Sequence, residues 1–254
     1  MVPVPALQVR GLHKAFGTVQ AVRGVDLEVP SGCFFGLVGP NGAGKTTTLS
    51  MVTGLLRPDR GTVLLDGIDV WADPREAKRR IGVLPEGLRL FERLSGRELL
   101  EFSGRLRELD PDVVAQRSQE LQLTFGLRGA QDQLVVDYST GMRKKIGLAA
   151  ALLHNPNVLF LDEPFEAVDP VSARTIRDVL TRFTSRGGTV VFSSHVMELV
   201  ERLCEEVAVI VGGQVVAAGE VDDLRGGRSL EDVFVDLVGA RGWGEGALDW
   251  LGAE

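Results

Sequence analysis

The chain has 254 residues, 44% of them hydrophobic and 25% charged, and its formal net charge is −7. This length predicts one large domain or two modest ones, and the composition excludes a wholly disordered or collagen-like chain. The acidic balance argues against general nucleic-acid coating, so we expect no nucleic-acid partner. Three His and two Cys are too few for a His-built metal cage or a four-Cys zinc site.

The first thirty residues predict β-strands, because their apolar side chains fall partly at every second position and glycines interrupt the pattern. The apolar run Cys33–Val38 is typical of a fully buried strand, and a Gly-rich loop and a helix over 46–56 follow it. Strands over 63–65 and 68–70 flank Asp66-Gly67, a pair that favours a hairpin turn.

The middle of the chain alternates helices and strands. Asp73-Pro74 predicts a helix start, and Asp110-Pro111 divides a Leu-, Arg- and Glu-rich stretch near 95–125 into two helices. Further helices are predicted over 141–153, 171–183 and 196–203, and further strands over 81–84, 158–161, 189–192, 207–211 and 214–218. This alternation predicts an α/β core with a mostly parallel sheet, a β-rich beginning and an all-helical insert.

The two cysteines and the hydropathy limit where the protein can act. Cys33 and Cys204 lie far apart in apolar runs, and we expect two buried free thiols in a reducing cytosol rather than one conceivable disulfide. No secretory signal is visible in Met1–Arg10, and no stretch approaches the ~20 apolar residues of a membrane-spanning helix. We therefore expect any membrane-spanning part to come from another chain.

A Gly-rich loop matches the pattern G-x-x-x-x-G-K-[ST] and stands between a predicted buried strand and a predicted helix. Its backbone N–H groups suit phosphate oxygens, Lys45 suits the β- and γ-phosphates, and the Thr46 hydroxyl suits Mg²⁺. The alternative is a Gly-rich structural turn, which would not require a buried strand before it and a helix after it. The predicted nucleotide-binding residues of the loop are Gly39, Pro40, Asn41, Gly42, Ala43, Gly44, Lys45, Thr46 and Thr47.

Two acids, Asp162 and Glu163, directly follow the apolar run Val158–Leu161. Desolvating carboxylates costs free energy, so a buried strand that ends in two of them indicates a use. The carboxyl edge of a parallel sheet would bring them to the same crevice as the phosphate loop. We predict Asp162 as a Mg²⁺ ligand and Glu163 as the group that acts on the attacking water. His195, just past another predicted strand, is expected beside the same crevice rather than in a structural role.

These elements, together with Tyr138–Met142, resemble the nucleotide-binding subunit of an ABC transporter over nearly the whole chain. The segment Tyr-Ser-Thr-Gly-Met stands where that family has its signature loop, usually Leu-Ser-Gly-Gly-Gln, and a helix and the acid pair follow it at the family's spacing. The resemblance implies that Ser139 and Gly141 bind the γ-phosphate of ATP held by a second copy. Two sites would then form between head-to-tail subunits.

The resemblance also implies roles for other positions. Phe16 stands where an aromatic ring stacks on adenine, with a core Phe as the alternative. Asp169 matches a loop that communicates across the dimer, and His195 matches the switch histidine at the γ-phosphate. The predicted catalytic residues are therefore Lys45, Glu163 and His195.

The sequence departs from the family pattern in its acids. Glu86 occupies the position where most members have Gln, and we predict it as a metal ligand beside Thr46 and Asp162. It adds negative charge to the predicted site. Glu166, in the loop after the acid pair, is a further acid with no clear role.

The fold implied by the resemblance is an α/β P-loop NTPase. Its RecA-like, mostly parallel core sheet would carry an N-terminal antiparallel β subdomain and an inserted α-helical subdomain near 87–153. We expect an ABC ATPase domain over 1–240 and a C-terminal tail over 241–254. The implied cofactors are ATP and Mg²⁺, and the implied partners are a second nucleotide-binding subunit, identical or different, and a separate transmembrane subunit. The implied location is the cytoplasmic face of the cell membrane.

Two short segments bear on what is transported. Leu84-Pro85-Glu86 and Ser229–Phe234 are similar to bacterial type-two exporters, which implies export of a drug, antibiotic, lipid or polysaccharide rather than import. After Glu86, Leu88, Leu90, Phe91 and Leu94 either form a groove for a cytoplasmic helix of the membrane subunit or pack the helical subdomain. The basic runs 78–80 and 143–145 predict solvated helix faces, with lipid contact as the alternative.

Two other classes of protein remain open at this point. A soluble ABC ATPase not coupled to transport would lack a membrane partner; repair members need a long coiled-coil insert and translation members two cassettes, whereas iron–sulfur assembly is not excluded in this way. A phosphate-loop kinase would not need the signature loop, and its ATP turnover would require an acceptor.

Overall fold

The structure, a computed structural model, describes residues 4–239, so the predicted tail 241–254 lies outside the described residues. Within 4–239 the strands form a four-stranded and a six-stranded sheet. No helix in this part of the chain combines the length and the apolar character needed to cross a membrane.

The smaller sheet is antiparallel and comes from the beginning of the chain. It has the order β2-β1-β4-β5, and its strands are β1 (Leu7–Phe16), β2 (Val19–Val29), β4 (Arg60–Leu65) and β5 (Ile68–Asp69). Asp66 and Gly67 form the predicted hairpin turn with φ of 47° and 78°, the left-handed region that such a turn requires. This sheet confirms the predicted β-rich beginning.

The larger sheet is the predicted core. Its order is β10-β9-β3-β8-β7-β6, and every neighbouring pair is parallel except β9 and β10. The strands are β3 (Phe34–Val38), β6 (Ile81–Leu84), β7 (Val158–Asp162), β8 (Thr189–Ser194), β9 (Glu206–Val211) and β10 (Gln214–Glu220). All residues of β3, β7 and β8 are buried, as expected for parallel strands covered on both faces.

Six of the α-helices in residues 4–239 begin after a Ser or Asp whose side chain caps them. At Pro-led starts Asp73 accepts one backbone N–H and Asp110 accepts two, and Ser95 with Glu98 forms a capping box. The helices are α1 (Lys45–Val52), α2 (Pro74–Arg80), α3 (Gly96–Leu106), α4 (Pro111–Thr124), α5 (Thr140–Leu152), α6 (Pro170–Thr184), α7 (Met197–Leu203), α8 (Val221–Arg225) and α9 (Leu230–Val238). Of these helices, α1, α7 and α8 have no side-chain cap. Helix α1 is shorter than predicted, because the chain reverses at Gly54 with a φ of 72°.

The core sheet separates two hydrophobic clusters. Phe34 and Phe192 pack with the side chains of α3 to α7, whereas Phe35 and Val191 pack with the antiparallel sheet and α1. Successive strand residues therefore face opposite layers, as the period of two requires. This stacking fixes the parallel strands so that the segments after β3, β6, β7 and β8 leave the same edge of the sheet.

Candidate active site

A cavity of about 330 Å³ opens at this carboxyl edge of the core sheet. It brings together the predicted residues 41–47, Glu86, Asp162, Glu163 and His195, and Ala21 and Glu166 complete its lining. Gly39 and Pro40 begin the same loop, and Phe16, Ser139 and Gly141 lie outside the cavity lining. The predicted residues come from four separate segments, those at the carboxyl ends of β3, β6, β7 and β8, which is the arrangement expected where parallel strands end.

The loop before α1 needs glycine at two positions for steric reasons. A Cβ on Gly39 would lie 2.2 Å from the Ile210 carbonyl oxygen. A Cβ on Gly44 would lie 2.5 Å from the Ala21 carbonyl oxygen, and Gly44 has a φ of 105°. The loop is therefore pressed against β9 and β2, with its backbone turned toward the N-terminus of α1.

Lys45, the first residue of α1, is buried with its ammonium group inside this loop. Its Nζ donates to the carbonyl oxygens of Gly39, at 2.7 Å, and Pro40, at 3.2 Å. These oxygens compensate for the burial of the cation, because a buried charge needs hydrogen-bond partners. The Lys45 ammonium group is thus held in the wall of the cavity by the loop itself.

The three predicted metal ligands offer only oxygen atoms. The Thr46 hydroxyl donates to Glu86 Oε2 at 3.0 Å, so the end of β6 and the start of α1 are joined there. Asp162 is buried and also lines the cavity. Mg²⁺ prefers oxygen ligands and is usually bound by one or two carboxylates plus substrate phosphates, so this donor set fits it. In keeping with so few protein ligands, residues 4–239 hold no group of three or more His, Cys, Asp and Glu placed for a metal.

Ser193, in β8, joins Asp162, the last residue of β7, to Glu163, which follows it. Its hydroxyl donates to Asp162 Oδ1 and accepts the backbone N–H of Glu163 at 2.9 Å. Glu163 has a φ of 46°, in the left-handed region that a non-glycine residue occupies at a cost of about 1–3 kcal/mol. The backbone of Glu163 therefore has a conformation that neighbouring residues must hold.

The carboxylate of Glu163 faces His195. Its Oε1 lies 3.1 Å from His195 Nδ1, and the Glu163 side chain is 10% exposed against 47% for His195. Burial raises the pKa of Glu163, and the hydrogen bond and charge of His195 and the charge of Lys45 oppose that rise. A buried carboxylate with a raised pKa beside a histidine is suited to accept a proton from water.

Comparison with known proteins decides the family. The ABC transporter family model matches residues 22–166. The chain belongs to the ABC transporter family. The daunorubicin/doxorubicin resistance ATP-binding protein DrrA of Streptomyces peucetius is 39% identical over 88% of this chain and 68% of its own length. The ABC transporter ATP-binding protein NatA of Bacillus subtilis is 38% identical over 85% of this chain and 88% of its own length.

The fold agrees with this family. A solved ATP-binding subunit of an ABC transporter superposes with a TM-score of 0.86 at 28% identity, covering 91% of this chain and 99% of that chain. The P-loop NTPase fold, with its mostly parallel core, N-terminal antiparallel sheet and helical insert, is confirmed. The chain is an ATP-binding ABC transporter subunit and an ATPase.

The signature segment of this ABC subunit lies at the start of α5. Ser139 caps the helix by accepting the Met142 N–H, and Gly141 is buried against α6. Phe16, at the end of β1, is 52% exposed, so the alternative of a core Phe is wrong. Lys14 Nζ lies 5.8 Å from the centre of its ring. The Phe16 ring and the Ser139 side chain are both exposed, so a ligand or partner can reach them without any change of fold.

Sequence reasoning missed Ser193, Lys144 and Ala21. Ser193 follows an apolar strand, and that position was the available signal. Lys144 belongs to the basic run 143–145 predicted as a solvated face, which is wrong for Lys144. Lys144 is half-buried and donates to the Glu163 carbonyl, and Arg143 Nη1 lies 2.8 Å from Glu92 Oε1. The partners of these cations are distant in sequence, so charge pattern alone could not reveal them.

Proposed function

We propose that this chain binds and hydrolyses ATP in the cavity at the carboxyl edge of its core sheet and thereby powers export across a membrane. One observation carries the catalytic assignment. A buried lysine, a hydroxyl, three predicted acids (Glu86, Asp162 and Glu163) and a histidine from four segments line one cavity of about 330 Å³. Phosphoryl transfer needs positioning and neutralisation of charge rather than a covalent intermediate, and this set supplies both.

The loop residues 39–47 hold the phosphates in this proposal. Their backbone N–H groups and the N-terminus of α1 attract anionic oxygens, and Lys45 places its ammonium against the β- and γ-phosphates. Thr46, Glu86 and Asp162 are the residues that would hold Mg²⁺. When bound, the ion neutralises phosphate charge and polarises the bond that breaks.

Glu163 orients water and accepts its proton during in-line attack on the γ-phosphorus. The fixed backbone of Glu163 and the contact with His195 place its carboxylate toward the cavity. His195 donates toward the γ-phosphate oxygens in this proposal, and its half-exposed side chain at the cavity supports that role. The two neighbouring side chains thus act on different atoms of the same transfer, Glu163 on the water and His195 on the phosphate oxygens.

The site is completed by a second nucleotide-binding subunit. Ser139 and Gly141 lie outside the cavity lining, which supports their assignment to the γ-phosphate of ATP on a partner rather than on their own chain. The exposed ring of Phe16 supports its assignment to adenine. ATP bound between two subunits would favour a closed dimer, and hydrolysis would allow the dimer to open. A membrane partner could respond to this switch between two states.

A separate transmembrane subunit docks on the helical subdomain near 87–153. Leu88, Leu90 and Leu94 pack against the core cluster, so for them the alternative of packing the subdomain is supported. Phe91 is 56% exposed and meets the ring of Phe102, also exposed, edge to face at 5.0 Å. Two exposed aromatic rings in contact suit an apolar partner surface, which would place the chain at the cytoplasmic face of the membrane.

Export is favoured over import because of the relatives. The name of DrrA ties it to daunorubicin/doxorubicin resistance, and an exporter of a drug confers resistance to it. We therefore assign the cargo to the class of drugs, antibiotics, lipids or polysaccharides. A soluble ABC ATPase without a transport role, such as one in iron–sulfur assembly, is the alternative, and the transporter relatives speak against it.

The test is Glu163→Gln, with Glu231→Gln as a control on the exposed face of α9. We expect Glu163→Gln to lower ATP turnover by about 10²-fold or more and to retain ATP-dependent dimers, because binding is intact while proton transfer is lost. Glu231→Gln should turn over ATP as the unaltered chain does. Unchanged turnover in Glu163→Gln would overturn the role of this residue, and isolation from native membranes without a co-purifying membrane chain would overturn the transport role.

A further inference from the structure

Lys144 contacts the backbone of Glu163, and the mechanism proposed above gives this lysine no role. It lies in the second turn of α5 and is half-buried, and its Nζ donates to the carbonyl oxygen of Glu163 at 2.6 Å. The backbone N–H of Glu166 approaches the same oxygen at 3.3 Å. A charged donor on a backbone carbonyl is a strong hydrogen bond, so Lys144 fixes the peptide that follows Glu163.

With this contact, three partners hold Glu163 at three different points. Its N–H is held by Ser193 at 2.9 Å, its carbonyl by Lys144, and its carboxylate by His195 at 3.1 Å. The left-handed φ of 46° is unfavourable for a glutamate, so it persists only while the surroundings impose it. Loss of the Lys144 contact would free the peptide to relax, and the carboxylate would move with it.

The charge of Lys144 also meets the acids of the cavity. Burial lowers the pKa of Lys144, and the carboxylates of Glu166, Glu163, Asp162 and Glu86 oppose that shift, in this order of effect. Two of these acids, Glu86 and Glu166, are the departures from the family pattern noted in the sequence. An ammonium group near all four reduces their mutual repulsion, which would otherwise push Glu163 out of place.

We propose that Lys144 is a positioning residue for ATP hydrolysis. It ties helix α5 to the loop 163–166 and holds Glu163 where its carboxylate faces the attacking water. The proposal rests on the role proposed for Glu163. It differs from a role in nucleotide binding, because the contact is to the backbone of the acid and not to the loop 39–47.

The first measurement compares Lys144→Met, Lys144→Arg and Lys78→Met in the full chain. Lys78 is an exposed lysine on α2 and serves as a charge-matched control. We expect Lys144→Met to lower kcat by about 10- to 100-fold, with the KM for ATP changed by less than about threefold, because a misplaced catalytic group slows chemistry without weakening ground-state binding. Lys144→Arg keeps a charged donor and should restore most of kcat, and Lys78→Met should match the unaltered chain.

The second measurement repeats Lys144→Met in the Glu163→Gln background under single-turnover conditions. If Lys144 acts through Glu163, the further loss should be less than about twofold, since residues that act as a unit are not additive. The proposal would be overturned if Lys144→Met lowered the rate equally with and without Glu163→Gln, or if it raised the KM and left kcat intact. It would also be overturned if Lys144→Arg restored no activity although its Tm equals that of the Lys78→Met control. If Glu163→Gln itself turns over normally, the proposed function fails; if Glu163→Gln is inactive and Lys144→Met is normal, only the role of Lys144 fails.

Discussion

Gly141 in the signature segment is packed so closely that a single methyl group should destabilise the chain. A Cβ at this position would lie 2.9 Å from Asp169 Oδ2 and 2.9 Å from Ser172 Oγ. Asp169 caps α6 by accepting the N–H groups of Val171, at 3.0 Å, and Ser172, at 2.9 Å. Gly141→Ala therefore has to displace either the cap of α6 or the first turn of α5.

The size of the effect follows from these contacts. Loss of an Asp N-cap costs about 1 kcal/mol, and forcing a methyl group into a packed site costs about 1–3 kcal/mol. The lower entropy of the unfolded chain returns about 0.4–1 kcal/mol when Gly becomes Ala. The free energy of unfolding should fall by about 1–3 kcal/mol, which lowers Tm by about 2–12 °C for a chain of this size.

Thermal unfolding followed by circular dichroism measures this change, with Gly129→Ala as the matched control. Gly129 has a negative φ and no atom within 4 Å of a built Cβ, so its Tm should stay within about 2 °C of the unaltered chain. In an Asp169→Ala background, Gly141→Ala should cost about 1 kcal/mol less, because one clashing atom and the cap are already gone. Equal Tm values for the two glycine variants, or additive losses with Asp169→Ala, would refute the packing argument.

Two further predictions concern buried and half-buried groups away from the cavity. Burial, with the nearby charges of Arg107 and Arg117, lowers the pKa of His154 from 6.5 to about 4. Between pH 6.5 and 4 only the unfolded chain takes up this proton, so the free energy of unfolding should fall with falling pH, by on the order of 3 kcal/mol in full. Urea unfolding at pH 7 and 4.5 should show a smaller difference for His154→Gln; an unchanged difference would contradict the assignment. Burial raises the pKa of Cys33 to about 12 and that of Cys204 well above its usual range. Both free thiols should therefore react with iodoacetamide at pH 8 much more slowly in the native chain than in urea, and rapid native labelling would count against this.

The order and type of the elements could be predicted because local patterns determine them. Buried strands such as β7 are continuous apolar runs, and Pro-led helices such as α2 and α4 start at an Asp that caps them. These signals depend on neighbours within a few residues. Element ends were predicted less well: β8 extends through Ser193 and Ser194, because both are buried between neighbouring strands although their side chains are polar.

The loop and the acids of the candidate site were likewise visible in the sequence, because their spacing in the chain reflects their chemistry. Loop residues 41–47, Asp162 and Glu163 do line one cavity. The packing of Gly141 against Asp169 was not predictable, since 28 residues separate two groups that only the meeting of α5 and α6 brings together. Phe16 illustrates the same limit, because an aromatic ring at the end of a strand gives no sign of whether it is covered.

The acids of the cavity show why the sequence predicted one half of the site and not the other. Carboxylates at a sheet edge are costly unless each has a donor. Here Asp162 is paired with Ser193 from β8, Glu86 with Thr46 from α1, and the backbone of Glu163 with Lys144 from α5. Each donor comes from a different element, so the set exists only in the folded chain. The same dependence makes the donors informative, because a variant of one of them changes the position of an acid and leaves the acid itself in place.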